Sequence, residues 1–425
     1  MHVLVVTDQH PDSLGGVQVA IRLQRQALER LGHRVTIVAP ELHRAGYEVA
    51  EADREAYLDL PSRPITRDRE YGITWPGART DRALAARLAQ LPPVDLVHVQ
   101  GDFWGAMIGI RAARGLRVPI VHTMHNHVDA GTRAVTPFAP VAFQALRAWR
   151  FLALGKPRGS VSRSSRGAWR FLAELAADAA VVTAPSAHFA AELRAHSVTA
   201  NVRVTPGGVD DQAIAAARAV PRAPRTRPRL VWLGRMSQEK RILEFIDAIA
   251  EADIDADIAL HGAGLLLPRV RERIAAHGLG DRVTIPGPVP YAQALAAMRD
   301  ADALVQTSMG FETQGLTPFE AAALGTPTIF CDPNIADDVA VQPEWRVPAG
   351  NVSALADTLR GAVAELRAGL SDPDLREAEA AAGGSSERAS AGPLRVAEAD
   401  GDRFLQSAQS RVMLEAYAAA LAERA

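Results

Sequence analysis

The 425-residue sequence contains a single cysteine, Cys331. One cysteine excludes an internal disulfide and any cysteine-rich zinc or iron–sulfur site. Lysine is nearly as scarce, since Lys156 and Lys240 are the only two among 47 basic residues. Arginine replaces lysine almost everywhere, so a retained lysine is a candidate for a function. No apolar run reaches the roughly 18 residues that a membrane-spanning helix needs.

Charge and length set further limits. The 47 basic and 49 acidic residues nearly cancel, at a net charge of −2, so no overall positive field would draw the chain to nucleic acid. A chain of this length, 48% hydrophobic, fits two domains of about 200 residues each. No basic segment or cleavage site accompanies the first apolar run at 3–6, so a secretory signal is not predicted. We expect a cytoplasmic chain, either free or bound peripherally to the inner membrane face.

Short apolar runs alternate with helical patterns along most of the chain. The strand-like runs are 3–6, 35–38, 95–99, 119–123 and 179–183 in the first half, and 230–233, 258–260, 283–285, 303–306 and 328–330 in the second. Strands that alternate with helices are typical of parallel, doubly wound α/β sheets. The sequence therefore predicts an α/β protein with two Rossmann-like domains.

A segment rich in proline and arginine separates the two series of strands. We assign residues 1–215 to an N-terminal domain, 216–229 to an extended interdomain linker and 230–370 to a C-terminal domain. Residues 371–400, rich in glycine, serine and alanine, are predicted to be flexible. Residues 401–425 are predicted to contain a C-terminal helix.

Two cations lie in the loop that follows the predicted strand at 230–233. Arg235 and Lys240 precede a helical pattern there, and helix N–H groups and fixed positive charge both favour a phosphate. The alternative is a turn in which both side chains face water. The scarcity of lysine favours the functional interpretation.

Two glutamates, Glu312 and Glu320, are separated by seven residues in the second half. Glu312 lies in a glycine-flanked loop after the strand at 303–306, and Glu320 lies in the helix predicted to follow. Carboxylates at such positions can accept hydrogen bonds from sugar and ribose hydroxyls. Ordinary surface glutamates are the alternative.

A histidine cluster follows the predicted strand at 119–123. Histidine and aspartate are residue types that bind metals, and the cluster contains His122, His125, His127 and Asp129. Half-buried histidines with protein partners are the commoner alternative. His98, inside an earlier strand, is interpreted as structural support.

These motifs together resemble the retaining GT-B glycosyltransferases of family 4, the family of sucrose synthase and bacterial mannosyltransferases. The resemblance rests on the glycine pair 15–16, the turn 205–210, the G-R-x4-K pattern of Arg235 and Lys240, and the E-x7-E pattern. Two positions depart from the family pattern. Gly207 replaces its usual asparagine, and Arg241 stands where glycine is frequent.

The resemblance implies that a nucleotide-diphosphate sugar binds in a cleft between the domains, mostly to the C-terminal one. It also implies that the C-terminal helix packs back toward the N-terminal domain. Arg235 and Lys240 would neutralise the leaving diphosphate, Glu312 would hold the transferred sugar and Glu320 the ribose. His125 occupies the position of an active-site histidine beside the sugar. The other donor-binding residues that it implies are Gly16, Gln314, Gly315, Leu316 and Thr317. With two fixed cations, neither a metal nor a further cofactor is expected.

The sequence thus predicts a retaining, metal-independent hexosyltransferase that uses a UDP- or GDP-linked sugar and an acceptor hydroxyl. A non-hydrolysing sugar-nucleotide epimerase and a catalytically degenerate sugar-nucleotide-binding protein are the alternatives. A dinucleotide-dependent oxidoreductase is disfavoured, because no G-x-G-x-x-G follows the first strand.

Residues 132–173 contain eight basic residues, interleaved with aromatic and aliphatic ones, and no acidic residue. This composition suits an anionic membrane surface and, with it, a lipid or cell-envelope acceptor. The alternative is a packed helix pair with a solvated basic face. A nucleic-acid partner is not expected, since no such motif accompanies the segment.

Overall fold

The computed structural model describes residues 1–223, 225–371 and 394–423. The chain divides into two compact units. Unit 1 comprises Met1–Gly208 and Gln406–Ala425, and unit 2 comprises Val209–Leu405.

A seven-stranded parallel sheet forms the centre of unit 1, in the order β3-β2-β1-β6-β7-β8-β9. Its strands are β1 (His2–Thr7), β2 (Arg34–Pro40), β3 (Tyr57–Leu60), β6 (Leu96–Gln100), β7 (Ile120–Thr123), β8 (Val181–Ala184) and β9 (Val202–Val204). A two-stranded antiparallel ladder joins β4 (Arg63–Pro64) and β5 (Gly72–Ile73). All six residues of β1 are buried, as expected for a parallel strand covered by helices on both faces.

The helices of unit 1 cover the two faces of this sheet. They are α1 (Gly16–Arg30), α2 (Ala78–Leu88), α3 (Trp104–Leu116), α4 (Val128–Val135), α5 (Ala139–Leu154), α6 (Gly167–Ala176) and α7 (Ala187–Ala195). The core on one face includes residues of α2, α3, α5, α6 and α7. The core on the other face joins α1 to the last helix of the chain (Gln406–Ala422).

Unit 2 contains a six-stranded parallel sheet in the order β12-β11-β10-β13-β14-β15. Its strands are β10 (Arg229–Leu233), β11 (Asp257–His261), β12 (Val283–Gly287), β13 (Ala303–Gln306), β14 (Thr328–Phe330) and β15 (Glu344–Arg346). Its helices are α8 (Asp211–Arg218), α9 (Ile242–Ala252), α10 (Leu267–Ala276), α11 (Tyr291–Asp300), α12 (Leu316–Ala323), α13 (Pro333–Val339), α14 (Val352–Ser371) and α15 (Glu398–Asp402). The two parallel-sheet units confirm the predicted doubly wound α/β class.

The segment predicted as a linker, 216–229, belongs to unit 2, and so do residues 209–215, which were assigned to the N-terminal domain. Asp210 caps α8 by accepting from the N–H groups of Gln212 and Ala213. The Arg218 guanidinium donates to the Ala323 carbonyl over 2.8 Å, and Arg225 pairs with buried Asp302. These contacts tie the arginines of the segment to neighbouring helices and turns rather than to water.

The predicted flexible segment, 371–400, falls mostly on residues 372–393, outside the described part of the chain. Its last residues pack on unit 2, where Val396 is 2% exposed and its N–H donates to the Gly325 carbonyl over 3.2 Å.

The C-terminal helix, here called α16 (Gln406–Ala422), completes unit 1, as predicted from the family resemblance. Tyr417 is fully buried, and its hydroxyl lies 2.7 Å from His98 Nδ1. The other ring nitrogen of His98 lies 2.7 Å from the Thr123 hydroxyl. The described helices include none long and apolar enough to cross a membrane.

Candidate functional site

The order of the strands in each sheet indicates where a ligand would bind. In doubly wound sheets, ligands bind beyond the carboxyl ends of the strands, where the strand order reverses. That reversal lies between β1 and β6 in unit 1 and between β10 and β13 in unit 2. Arg235 and Lys240 follow β10, and Glu312 follows β13. His125 follows β7, which adjoins β6.

Lys240 and Glu312 meet in one pocket at the reversal point of unit 2. The Lys240 ammonium donates to Glu312 Oε1, and the Ser308 hydroxyl donates to the same oxygen over 3.1 Å. Lys240 is 27% exposed and Glu312 17%, so a ligand can reach both. The pocket is lined by Trp232, Leu233, Lys240, Leu304, Val305, Gln306, Thr307, Ser308, Glu312, Gly315, Thr317, Pro318 and Ile335.

The backbone that carries Lys240 is held from β13. The Trp232 indole N–H donates to the Thr307 hydroxyl over 2.9 Å, and this hydroxyl donates to the Lys240 carbonyl. Arg241, the next residue, adopts a left-handed φ of 50°. That conformation explains why glycine suits this position in the family pattern.

The loop with Arg235 lies against a second glycine loop. Gly262 has a φ of 135°, and a Cβ there would lie 1.9 Å from the Gly234 carbonyl oxygen. A Cβ on Gly264 would lie 2.4 Å from the Met236 carbonyl oxygen. Only glycine permits this backbone approach. The Arg235 side chain is exposed and does not line the pocket of Lys240.

Helix α12 begins at the same pocket. Gly315, with a φ of 72°, precedes its first residue, and no side chain caps the N-terminus. Backbone N–H groups at an uncapped first turn favour an anion. Of the predicted donor-binding residues of this loop, Gly315 and Thr317 line the pocket, whereas Gln314 and Leu316 do not.

Glu320 lies apart from this pocket, on the buried side of α12. It is 8% exposed, and the Tyr291 hydroxyl hydrogen-bonds to it. Burial raises the pKa of Glu320 to about 7, against the opposite effect of the Tyr291 hydrogen bond. Burial also raises the pKa of Tyr291, so the phenol keeps its proton and donates.

His125 stands at the carboxyl edge of the unit 1 sheet. Its Nε2 lies 2.9 Å from Gln100 Oε1. Burial lowers the pKa of His125 to about 4, although nearby Asp102 raises it. The imidazole is therefore neutral at pH 7, a form that can hydrogen-bond a hydroxyl without adding charge. Gly16, the other predicted residue of unit 1, is the first residue of α1.

The remaining histidines of the cluster have separate partners. His122 Nε2 lies 2.8 Å from the Gly101 carbonyl oxygen, and His127 Nε2 lies 3.2 Å from Glu192 Oε2. Among the described residues, no group of three or more His, Cys, Asp or Glu side chains is arranged to hold a metal ion.

Residues 132–173 form packed helices, one of the two interpretations that the sequence left open, and they also leave basic and apolar side chains exposed. Phe143, Phe171 and Leu172 belong to the core of unit 1, as in a packed set of helices. Four basic residues are neutralised by acidic partners, namely Arg133, Arg147, Arg150 and Arg170. The four others, Lys156, Arg158, Arg163 and Arg166, are exposed. The exposed large apolar side chains of this segment are Val135, Phe138, Val141, Phe151 and Leu152, with exposures of 86%, 71%, 68%, 55% and 84%.

Sequence reasoning missed several residues at and near the site of unit 2. Thr307, Ser308 and Tyr291 were not predicted, because single hydroxyls carry no spacing pattern. Gly262 and Gly264 had a usable signal, since two glycines follow directly on a predicted strand.

Comparisons with known proteins agree with this architecture. A family model described as Glycosyltransferase Family 4 matches residues 14–213, and one described as Glycosyl transferases group 1 matches residues 214–368. The chain is 24% identical over 348 residues to the alpha-monoglucosyldiacylglycerol synthase of Streptococcus pneumoniae, covering 77% of this chain and 70% of that protein. It is 27% identical over 375 residues to the 2-deoxystreptamine N-acetyl-D-glucosaminyltransferase of Streptomyces fradiae, covering 83% and 84%.

Among solved structures, the chain is similar to HepE of Anabaena in complex with UDP. The TM-score is 0.66 at 16% sequence identity, and the match covers 98% of this chain and all of that one. That likeness carries the fold, while the two family models carry the assignment. The chain belongs to glycosyltransferase family 4 and is a GT-B glycosyltransferase that uses a sugar-nucleotide donor.

Proposed function

We propose that the protein transfers a hexose from a UDP- or GDP-linked donor to an acceptor hydroxyl with retention of configuration and without a metal. The observation that carries this proposal is the pocket where Lys240, Glu312 and the start of α12 meet. A cation and uncapped helix N–H groups suit a diphosphate, and a carboxylate beside them suits sugar hydroxyls.

The cations and the helix N–H groups act on the leaving diphosphate in this reaction. As the bond from sugar to phosphate breaks, negative charge grows on the leaving diphosphate. Lys240 and the N–H groups of Leu316 and Thr317 stabilise that charge, because the fold fixes them before the reaction begins. Arg235, whose exposed side chain comes from the same segment as Lys240, adds its charge when the diphosphate binds. The two cations do the work that a divalent metal does in other phosphate-transfer sites.

The carboxylates and the histidine orient the donor. Glu312 accepts hydrogen bonds from hydroxyls of the transferred sugar, and Glu320 accepts them from the ribose diol. Neutral His125 hydrogen-bonds a sugar hydroxyl and steadies the positive charge that develops on the sugar ring. Gly16 permits the backbone of α1 to approach the phosphates. Retention then follows from attack by the acceptor on the face that the diphosphate leaves.

Thermal unfolding with UDP, GDP, UDP-glucose, GDP-mannose and UDP-GlcNAc tests the donor site. Ligand at about a hundred times its dissociation constant stabilises by roughly 2.7 kcal/mol. We expect one base and its sugar to raise the midpoint and Arg235→Ala to abolish the rise. No rise with any nucleotide, in folded protein, would contradict a working donor site.

Turnover of that donor tests the residue roles. Lys240→Ala, Glu312→Ala and His125→Ala should each lower kcat by about 100-fold or more, with little change in the unfolding midpoint. Arg271→Ala is the control, because it removes an exposed cation of α10 in the same unit. Unchanged turnover in the three variants would overturn the assignment.

For the acceptor we propose a lipid reached at an anionic membrane. The exposed apolar side chains between residues 135 and 152, together with the four exposed cations of 156–166, support this proposal, since apolar and basic side chains suit an anionic membrane surface. The Streptococcus pneumoniae relative is named for a glucosylated diacylglycerol, whereas the Streptomyces fradiae relative is named for an aminocyclitol.

Co-sedimentation with vesicles containing anionic phospholipid separates the two acceptor classes. We expect binding at low salt that weakens as salt is added, and weaker binding by Phe138→Ser/Leu152→Ser. Absence of binding to anionic vesicles at low salt would favour a soluble acceptor.

A further inference from the structure

Two buried carboxylates lie at the carboxyl edge of the unit 1 sheet, and the roles assigned above use neither. Asp8 follows β1 and is 8% exposed, and Asp102 follows β6 and is fully buried. A buried carboxylate is costly unless several hydrogen bonds compensate for the lost water. Both have such bonds, and the donors are backbone groups of neighbouring strand ends.

Asp8 holds the loop after β6. Its carboxylate accepts from the N–H groups of Asp102 and Gly105 over 2.7 Å each and from that of Phe103 over 3.1 Å. A Cβ on Gly101 would lie 2.5 Å from Asp8 Oδ2. The loop is therefore shaped around this carboxylate.

Asp102 in turn holds the loop after β7. Its Oδ2 accepts from the His125 N–H over 3.0 Å and from the backbone and side-chain N–H groups of Asn126 over 2.8 Å each. Its Oδ1 lies 3.4 Å from His122 Nε2. Burial by itself would raise the pKa of Asp102, but nearby His122 and the hydrogen bonds from Asn126 hold it below the ordinary value, so the side chain is a carboxylate at pH 7.

We propose that Asp102 is a positioning residue for His125 and that Asp8 anchors Asp102. The inference rests on the function proposed for His125. Gln100, the last residue of β6, and Asp102, in the loop after it, hold this histidine at both ends. Asp102 binds its backbone, and Gln100 Oε1 lies 2.9 Å from its ring nitrogen. The direction of the imidazole is thus set by the end of β6 and, through Asp8, by the end of β1.

The competing interpretation is that Asp102 only stabilises the fold. Three variants separate the two: Asp102→Ala, Asp102→Asn and the control Asp178→Ala. Asp178 matches Asp102 in burial, with a side chain 1% exposed. It precedes β8 in the same unit and is bound by Arg114 and Arg150. Asparagine keeps an oxygen that can replace Oδ2, so it should rescue the position.

The first readout is an NMR titration of the ring of His125, assigned with His125→Gln, in the full chain. In the unaltered protein and in Asp178→Ala this ring should not titrate between about pH 5.5 and 8. In Asp102→Ala it should titrate near 6.5, because the ring moves into water. Loss of the Asp102 charge alone lowers the pKa of His125, so a rise identifies a displaced ring.

The second readout is donor turnover, with UDP-glucose or GDP-mannose hydrolysis as the probe reaction. Asp102→Ala should lower kcat by about 100-fold with KM for the donor nearly unchanged, since a misplaced group costs rate rather than ground-state binding. Asp102→Asn should keep kcat within about 10-fold of the unaltered protein. Asp178→Ala should leave kcat unchanged after correction for folded protein.

The outcomes distinguish this inference from the proposed function. An unchanged His125 titration in folded Asp102→Ala overturns the positioning role, whatever the activity. A displaced ring together with full turnover by His125→Gln supports the positioning role and removes the proposed role of His125. If Asp102→Ala does not fold, Asn126→Ala replaces it. This variant removes one of the three bonds and should raise the pKa of His125 by a smaller amount, and no change there overturns the inference.

Discussion

At the scale of single residues, Lys240 and Glu312 are each other's partners. A donor diphosphate must therefore compete with Glu312 for the ammonium. We expect Glu312→Gln to bind free UDP or GDP about 2- to 5-fold more tightly, since a partly exposed ion pair contributes up to about 1 kcal/mol. The same variant should lose turnover, because glutamine cannot replace the carboxylate at the sugar hydroxyls.

Isothermal titration calorimetry of the free nucleotide measures the first effect, and donor hydrolysis measures the second. Glu239→Gln is the control, since Glu239 lies beside Lys240 in the chain but hydrogen-bonds to Ser237. Weaker nucleotide binding by Glu312→Gln would contradict the competition.

Glu320 makes the free energy of unfolding fall as pH rises, whereas most carboxylates make it rise. Its pKa rises from 4.5 to about 7 on folding because it is buried. The folded protein therefore binds this proton more tightly than the unfolded chain does. The contribution to stability is complete below about pH 4.5 and is lost as pH rises through about 7.

Glu320→Gln should accordingly flatten the pH dependence of the free energy of unfolding between about pH 5 and 8. At pH 8 the free energy of unfolding of the variant should exceed that of the unaltered protein by up to about 3 kcal/mol. Urea unfolding across this range tests the difference, and a steeper dependence in the variant would contradict it. Nucleotide binding should weaken in the variant, because the ribose diol loses an ionised acceptor.

The residues that sequence reasoning missed share a physical reason. Arg235, Lys240, Glu312 and Glu320 could be identified because they form spaced patterns with glycine and proline. Asp8 and Asp102 could not, because an aspartate after a strand is common. Their roles arise from N–H groups of other strand ends, which meet them only in the folded sheet.

At the scale of elements, helix α3 owes its place on the sheet to its first glycine. A Cβ on Gly105 would lie 2.5 Å from the Thr7 carbonyl carbon, whereas nothing lies within 4 Å of a Cβ on Gly115 in the same helix. Gly105→Ala should lower the free energy of unfolding by about 1–3 kcal/mol or more. Gly115→Ala should raise it by up to about 1 kcal/mol, because alanine favours helix.

Urea unfolding of the two variants makes a direct comparison within one helix. Equal effects of both substitutions would mean that α3 can shift away from β1 without cost.

Most strands of both sheets could be predicted from the sequence. The ten strands predicted from apolar runs are all present, and most of them are buried on both faces, where parallel strands need continuous apolar residues. β3, β9 and β15, by contrast, lie at or near sheet edges and were missed. Helix α8 was assigned partly to the linker because prolines and arginines follow it, although Asp302 and the Ala323 carbonyl fix two of those arginines.

At the scale of the whole chain, unit 1 depends on a helix encoded after unit 2. Tyr417 fills the core beside α1 and hydrogen-bonds to His98. Tyr417→Ala should lower the stability of unit 1 by about 3–5 kcal/mol, because it leaves a cavity and an unpaired imidazole nitrogen. Unit 2, with its separate cores, should not change.

Hydrogen exchange followed by mass spectrometry resolves the two units in one experiment. We expect faster exchange in β6 and β7 of Tyr417→Ala and unchanged exchange in β10 and β13. Exposed Glu415→Ala, in the same helix, is the control. Equal acceleration in both units would show that they unfold as one body.

The position of α16 in unit 1 also affects how the chain folds during its synthesis. A ribosome makes the first 208 residues of unit 1 before unit 2, yet the part of the α1 face that α16 covers stays exposed until residues 406–422 emerge. Unit 2 is contiguous and can finish folding first, so the order of completion is the reverse of the order of translation. During that interval, the apolar residues of the uncovered face make the nascent chain a candidate client for a chaperone.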